Sequence, residues 1–325
     1  MGLTTKPSVQ RLTQILQRQD PPAFGRDYAP SLLATVDEAP SSSNASQVWS
    51  VLLDRYVHVL SHPELKVLCI VLYCPWLFDL QEQRLLHFEE RPHPLQGHPL
   101  ASRMELPSLR GALQVAESLG VLKYYPTFWA TNDDARVKMP VALIGDLLLY
   151  LSDAQGAFCV DLDIKKTQDA FHRPFQKSRN AANPTRAQHQ EEARHLIEKV
   201  RYLDGGIKTI EIATDEDIDP HVAANMRQLL LWQKRKSDLS DERRLEVLDQ
   251  YQSALVRGVP PLDAMYGMLN RRIGGTVDQL KAELYQAIWS RKIRIDLFQP
   301  IYIDKPLRPE RRDVLEKYKE WFSRG

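Results

Sequence analysis

Two apolar stretches in the middle of the chain form its clearest structural pattern. Residues 141–151 are too apolar for a strand with one face in water, and a second buried strand is predicted at 158–165, after turn-forming residues at 152–156. The pattern predicts two buried β-strands joined as a hairpin. A third, short strand is predicted over 207–213.

Apolar residues that recur every three to four positions predict the helices. One such pattern begins at Gln47 and comprises Val48, Leu52, Leu53, Tyr56, Val57 and Leu60. A second helix is predicted over 62–73, with Pro63 in its first turn and with Leu65, Leu68, Cys69 and Leu72 facing inward. Further helices are predicted over 108–120, ending at Gly120, and over about 187–203, ending at Gly205-Gly206.

Prolines and polar runs divide the chain. Residues 1–47, with Pro21-Pro22 and a serine run at 41–43, predict an extended N-terminal arm with one helix at about 8–18. The stretch 82–107 is predicted to be irregular or edge structure, and 173–190 is predicted to be a long loop or linker. We therefore predict a mixed α/β domain over 48–216 and a mainly helical domain over 217–325. The latter would contain helices at about 240–257, 261–272 and 276–290, and a two-stranded wing at 293–298 and 301–303.

The composition narrows the class of protein. The 325 residues include 43 Lys and Arg against 42 Asp and Glu. This balance excludes a protein that acts only through a strongly basic surface for nucleic acid or through an acidic tail. No window approaches the ~18 apolar residues of a membrane span, and the N-terminus lacks the apolar core of a signal peptide, so we expect a cytoplasmic protein. The three cysteines form no Cys-x-x-Cys pair, which predicts neither a disulfide framework nor a zinc cluster.

Candidate chemistry lies on the two central strands. Side chains alternate along a strand, so Asp161, Asp163 and Lys165 share one face. Asp146 on the preceding strand can lie beside Asp163 in a hairpin of this length. Two close carboxylates repel unless a cation intervenes, and oxygen ligands suit Mg²⁺ or Mn²⁺. This arrangement of acids and a lysine is typical of the PD-(D/E)xK nuclease core. A simple ion pair between Asp163 and Lys165 at a strand end would give the same motif.

The ordered set of motifs resembles the TnsA endonuclease subunit of heteromeric cut-and-paste transposons. The resemblance runs from about residue 56 to 232. It covers Ser61-His-Pro-Glu64, the stretch 75–83 ending in Glu-Gln, Asp146, Asp163-Ile-Lys165, the helical stretch 197–202 and the stretch 206–218. The resemblance implies a restriction-endonuclease-like PD-(D/E)xK core followed by a winged-helix-like domain. It also implies a catalytic set of Glu64, Asp146, Asp163 and Lys165, with metal held by Glu64, Asp146, Asp163 and the carbonyl of Ile164.

Two positions depart from the family pattern. Gly145 replaces the motif's proline, a position expected only to shape the chain, and Asp161 is an extra acid that a two-residue register error would exchange with Asp163. Without the resemblance, Glu64 would be a solvent-facing carboxylate at a helix N-terminus and Gln83 an ordinary strand residue. His58 and His62 are expected to be packing or surface residues and not metal ligands.

The implied function is a Mg²⁺- or Mn²⁺-dependent endonuclease that cuts the non-transferred (5′) strand at transposon ends. Its implied partners are double-stranded DNA, a TnsB-like DDE transposase and a TnsC-like AAA+ ATPase, with no membrane. Residues 166–190 and 291–325 each carry a net charge of +4, which suits contacts with phosphates or a solvated surface. The alternatives are a stand-alone restriction or repair nuclease, or a DNA-binding adaptor whose nuclease core is structural.

Overall fold

The computed structural model describes residues 7–40, 44–132, 135–172 and 184–325 in a mixed α/β arrangement. The strands are β1 (Ser46–Ser50), β2 (Arg55–Val59), β3 (Leu77–Leu86), β4 (Thr127–Asn132), β5 (Ala135–Pro140), β6 (Leu143–Asp153), β7 (Gly156–Lys165) and β8 (Lys208–Ala213). The helices are α1 (Val9–Gln19), α2 (His62–Val71), α3 (Ala112–Ser118), α4 (Pro184–Asp204), α5 (Thr214–Asp217), α6 (Pro220–Trp232), α7 (Asp241–Arg257), α8 (Pro261–Asn270), α9 (Val277–Trp289) and α10 (Val314–Lys317).

The central sheet has the strand order β3-β6-β7-β8. β3, β6 and β7 are antiparallel neighbours, whereas β8 joins β7 in parallel after the crossover through α4. Leu147 pairs with Leu162, and Asp153 pairs with Gly156 at the turn, where glycine accommodates a φ of 113°. The predicted hairpin of two buried strands is therefore confirmed.

One face of this sheet is covered by α3 and α4. Leu148 and Tyr150 of β6 and Cys159 of β7 form a buried apolar cluster with Ala112, Val115, Ile197 and Tyr202 of the two helices. Burial of such side chains is the main favourable contribution to folding. Because Asp146, Asp161 and Asp163 lie on the same face as these residues, the polar site continues directly from the apolar core.

The helix predicted from Gln47 is wrong, because β1 and β2 form an antiparallel hairpin there. Burial alternates along β2, where Arg55, Val57 and Val59 are buried and Tyr56 is exposed. A turn with Asp54 at φ 51° interrupts the apparent helical period. The helix predicted over 62–73 is confirmed as α2, with its four predicted inward residues buried.

The predicted N-terminal arm packs along β3. Its helix α1 buries Leu12 and Ile15, and the following segment makes backbone hydrogen bonds with β3, including Ser31 N–H to the carbonyl of Gln83. Arg55 on β2 makes a two-point ion pair with Glu82 on β3, with N–O distances of 2.7 and 2.8 Å, and both side chains are buried. The arm, the β1–β2 hairpin and β3 are thus joined by polar contacts as well as by packing.

Two other boundaries differ from the predictions. β3 continues to Leu86, so only 87–107 of the stretch predicted as irregular lacks long elements, with one short 3₁₀ turn at Pro99–Ala101. α4 begins at Pro184, within the predicted linker 173–190, because proline suits the first turn of a helix. The remainder of that linker, 173–183, lies outside the described residues, and with it the predicted basic residues Arg173, Lys177 and Arg179.

The chain divides into two compact units. One contains the described residues up to 67 together with 75–217 and 320–325, and the other contains 68–74 and 218–319. The second unit is mainly helical, with Tyr251 of α7, Met268 of α8 and Leu284 of α9 in its core. In the parts of the chain that the structure describes, no helix is long and apolar enough to cross a membrane.

The predicted wing in the second unit is wrong. Residues 293–298 and 301–303 form no strand, and Ile295 instead makes an isolated bridge to Pro309. Pro300 interrupts the segment, and the buried side-chain amide of Asn225 donates to the carbonyls of Leu297 and Gln299. The carbonyls of Leu297 and Gln299 are thus satisfied by a helix side chain and not by a neighbouring strand.

Candidate functional site

Asp146 and Asp163 lie side by side on β6 and β7, because Leu147 and Leu162 next to them are paired. Asp146 Oδ2 accepts a hydrogen bond from the backbone N–H of Ile164 at 2.7 Å. Lys165 Nζ lies 2.9 Å from Asp163 Oδ1 and 3.6 Å from Asp146 Oδ2. It also lies 3.4 Å from the carbonyl oxygen of Ile164. The ammonium group therefore contacts each of three oxygen donors predicted to hold a metal ion.

These contacts set the charge of the group. Burial alone would raise the pKa of Asp163, but Lys165 and His195 outweigh it and hold that pKa well below its usual range. Burial would lower the pKa of Lys165, but Asp146 and Asp163 raise it above its ordinary value. The strands thus carry carboxylates next to an ammonium that remains charged at neutral pH.

Glu64 enters the same site from the first turn of α2. Its Oε1 accepts a hydrogen bond from the Ser61 hydroxyl at 2.6 Å, and Oε2 accepts from Leu60 N–H at 2.8 Å and from Gln83 Nε2 at 2.9 Å. Ser61 Oγ in turn accepts from the Glu64 N–H, which resembles a capping box. Glu64 is only 6% exposed, so it is not the solvent-facing helix residue of the simpler interpretation.

Gln83 is the residue that connects Glu64 to the sheet. Glu82 pairs with Leu147 and Arg84 with Gly145, which places Gln83 opposite Asp146 in the β3–β6 register. Its φ of 49° is uncommon for a residue with a side chain, and the residue is buried. Strained backbone of this kind occurs often at functional sites, and here it aims the Gln83 amide at Glu64.

The buried Glu64 carboxyl predicts a pH-dependent stability. Burial raises its pKa from 4.5 to about 7, and the nearby Asp146 carboxylate contributes in the same direction. The folded protein therefore binds more protons than the unfolded chain between these values, and stability falls as the pH rises through this window. We expect the difference in unfolding free energy between the wild type and Glu64→Gln to fall by about 3 kcal/mol between pH 4.5 and 8.

Urea unfolding of both proteins at several pH values, with a chelator present, measures this difference. A difference that stays constant between pH 4.5 and 8 would contradict the burial of an ionisable Glu64. Glu192→Gln on α4 is the control, because Glu192 is largely exposed and the same change there removes no buried carboxyl.

Helix α4 presents a polar stripe to the sheet. Its polar residues recur at the three- and four-residue spacing of one helix face: Glu191, Arg194, His195, Glu198, Arg201 and Tyr202. His195 Nδ1 makes a very short contact with Asp163 Oδ2, and His195 Nε2 lies 3.5 Å from Glu191 Oε1. Burial lowers the pKa of His195, but its hydrogen bonds to Asp163 and Glu191 outweigh this and raise the pKa to about 9. His195 therefore balances the charge of Asp163 from the side opposite Lys165.

Gly145 has a role that the sequence did not indicate. A Cβ atom at this position would lie 2.5 Å from Glu198 Oε1, so the glycine leaves the space that the Glu198 carboxyl occupies. Asp161, the extra acid, pairs with Leu148 and is 1% exposed, one pleat away from the Asp146–Asp163 pair. Asp163 is consequently the acid that lies between Lys165 and Asp146.

The donor set fits a hard divalent cation. Asp146, Asp163 and the Ile164 carbonyl offer oxygen atoms around one point, now contacted by the Lys165 ammonium. One lone pair of Glu64 Oε1 remains after its hydrogen bond with Ser61. Oxygen ligands of this kind suit Mg²⁺ or Mn²⁺.

Of the predicted site residues, the structure brings Asp146, Asp163 and Lys165 into contact, and it places Glu64 where the charges of Asp146 and Lys165 act on its carboxyl. Gln83 was expected to be an ordinary strand residue, and neither His195 nor Glu198 was predicted. The signal for His195 and Glu198 was the repeated placement of ionisable residues on the inward face of α4, beside the buried Ala193 and Ile197. His58 acts in packing, as predicted, because its Nδ1 accepts a hydrogen bond from Ala34 N–H.

No protein-family model matches this chain, and no curated protein matches it either. The interpretation of the site therefore depends on its own geometry and chemistry.

Proposed function

We propose that this protein is a metal-dependent DNA endonuclease in which Glu64, Asp146, Asp163 and Lys165 form the active site. The observation that carries the proposal is the contact of the Lys165 ammonium with Asp146, Asp163 and the Ile164 carbonyl. A lysine beside carboxylates on neighbouring strands is the arrangement that phosphodiester hydrolysis in a PD-(D/E)xK core requires.

The order of elements around the site also supports this proposal. A helix bearing Glu64 is followed along the chain by β3, β6 and β7 as antiparallel neighbours, by α4, and by the parallel strand β8. This order matches the restriction-endonuclease-like core that the resemblance implies. An ion pair serving only stability would not require a buried Glu64 carboxyl, held by Gln83, within electrostatic reach of Asp146.

In this proposal a divalent ion held by Asp146, Asp163, the Ile164 carbonyl and Glu64 supplies a Lewis acid and lowers the pKa of water. Lys165 orients the attacking water and stabilises negative charge that develops on the phosphate. Gln83 fixes the Glu64 carboxyl through its amide hydrogen bond, and the Ile164 N–H fixes Asp146. His195 holds the second oxygen of Asp163, which keeps the first oxygen directed toward Lys165.

We infer further that the enzyme acts as a subunit that cuts the non-transferred strand at transposon ends. The resemblance supports this role, as does the net charge of +4 over 291–325. A TnsB-like DDE transposase would cut the other strand, and a TnsC-like AAA+ ATPase would control both cuts. The near-neutral total charge fits weak binding to free DNA, with partners supplying most of the affinity.

Cleavage of end-labelled duplex DNA tests the proposal. The full chain is incubated with Mg²⁺ or Mn²⁺, alone and with a TnsB-like transposase and a TnsC-like ATPase, and the product ends are analysed. We expect metal-dependent cuts that leave 5′-phosphate and 3′-hydroxyl groups. DNA binding without cleavage in every combination would favour an adaptor with a structural core, whereas efficient cleavage without partners would favour a stand-alone nuclease.

A further inference from the structure

A second group of metal-ligand side chains lies on the α4 side of Asp163. Asp163, His195 and Glu198 each offer a ligand atom, and these atoms lie within 4.8 Å of one another. His195 and Glu198 are one helical turn apart on α4, so both side chains face β7. The three residues are 2%, 8% and 1% exposed, respectively. The cluster is therefore a closed arrangement and not a surface patch of acids.

Glu198 provides an independent reason to place a ligand here. Among the described residues, neither carboxyl oxygen of Glu198 has a hydrogen-bond partner, although the side chain is almost completely buried. An unpaired buried carboxylate is costly, and protonation would leave a buried hydroxyl that still lacks an acceptor. A cation bound to the carboxylate removes both problems.

Gly145 on β6 makes room for the Glu198 carboxyl. A Cβ atom at residue 145 would lie 2.5 Å from Glu198 Oε1, which is closer than real Cβ contacts. Arg194 on the same helix is directed elsewhere, because its guanidinium donates to the carbonyl of Ile144 at 3.0 Å and lies 3.4 Å from Glu191. The strand thus admits the carboxyl, and the neighbouring arginine makes no hydrogen bond to it.

We propose that Asp163, His195 and Glu198 bind a divalent transition-metal cation, separately from the Mg²⁺ site of the proposed nuclease. The two sites have only Asp163 in common. One imidazole nitrogen with two carboxylates suits Mn²⁺ or Zn²⁺ better than Mg²⁺, which prefers oxygen ligands alone. The nitrogen ligand distinguishes this site from the set Glu64, Asp146, Asp163 and Ile164, which offers only oxygen.

The experiment uses that difference. Mn²⁺ is added to the metal-free full chain, and electron spin echo envelope modulation detects nitrogen coordinated to the ion. We expect nitrogen modulation in the wild type and its loss in His195→Gln. The control is His189→Gln on the same helix, because His189 is about half exposed and lies outside the cluster, so modulation should persist. Absence of modulation in the wild type, or its persistence in His195→Gln, would overturn the proposal.

Glu198 gives a second variant with little change of shape. Glu198→Gln should weaken binding of the Mn²⁺ ion that shows nitrogen modulation by at least about tenfold, because changes to the groups around a metal commonly cost this much affinity. Gly145→Ala, which displaces the Glu198 carboxyl, should weaken binding of the same ion. Glu192→Gln, elsewhere on α4, should leave that binding unchanged. Unchanged affinity in Glu198→Gln would also overturn the proposal.

Different experimental results would contradict the second metal site and the proposed nuclease. Lys165→Ala should lose DNA cleavage while it retains nitrogen modulation, because Lys165 is not a member of the second cluster. Cleavage by a wild-type protein without nitrogen modulation would overturn this site and leave the nuclease proposal intact. Nitrogen modulation in a protein that never cleaves DNA would contradict the nuclease proposal and leave this metal site intact.

Discussion

Replacement of Lys165 by alanine is expected to reduce metal-dependent DNA cleavage by about 100- to 1,000-fold, the usual effect of removing one group that stabilises charge in a transition state. The Lys165 ammonium contacts Asp163 at 2.9 Å and Asp146 at 3.6 Å, so it lies where water and phosphate would be activated. The measurement is the single-turnover rate on end-labelled DNA, with saturating Mg²⁺ to balance the negative charge that loss of the ammonium leaves at Asp146 and Asp163.

Lys166→Ala is the matched control for this variant. Lys166 is the next residue along the chain, but its side chain is 72% exposed and lies 3.8 Å from Asp215, away from Asp146 and Asp163. Both variants remove one positive charge, so a general loss of DNA affinity would affect them similarly. A Lys165→Ala rate within tenfold of the wild type would contradict the assigned role, as would an equal loss in Lys166→Ala.

Removal of Arg55 is expected to cost about 3–5 kcal/mol of unfolding free energy, which is typical when one member of a buried ion pair is lost. Arg55→Ala would leave the Glu82 carboxylate uncompensated, and the Glu82 side chain has no exposed surface. Arg55 also donates hydrogen bonds to the carbonyls of Gly25 and Leu80, so the change would loosen the N-terminal segment from β3. Urea unfolding followed by tryptophan fluorescence measures the loss.

Arg26→Ala provides the comparison, because it removes an arginine from an exposed pair in the same region. Arg26 lies 3.9 Å from Asp54, and both side chains are mostly exposed, so we expect a cost below about 1 kcal/mol. A double variant, Arg55→Met with Glu82→Leu, should recover part of the loss by removing the unpaired charge. A cost for Arg55→Ala as small as that of Arg26→Ala would contradict the structural role of the pair.

The central hairpin and its acids could be predicted because their signals are local. Unbroken apolar sequence indicates a strand buried on both faces, and a period of two places Asp163 and Lys165 on one face. The turn between the strands then brings Asp146 beside Asp163. By contrast, the apolar period from Gln47 fitted a helix. Only the turn at Asp54 and the pairing of β1 with β2 show that the segment is a hairpin.

The remaining parts of the site depend on contacts distant in sequence. Gln83 on β3 meets Glu64 across 19 positions of the chain, and His195 meets Asp163 across 32 positions. Neither contact leaves a local pattern. The polar stripe of α4 was visible as a spacing, but a buried stripe and a solvated one have the same spacing, and the distinction needs the sheet that covers it.

The most direct measurement of the central claim is a crystal structure of the full chain soaked in Mn²⁺, with anomalous scattering recorded at the manganese edge. The account predicts an anomalous peak bound by Asp146, Asp163 and the Ile164 carbonyl, with Lys165 Nζ displaced from its position between the carboxylates. The absence of a peak there at saturating Mn²⁺, with Lys165 still paired to Asp163, would contradict the account.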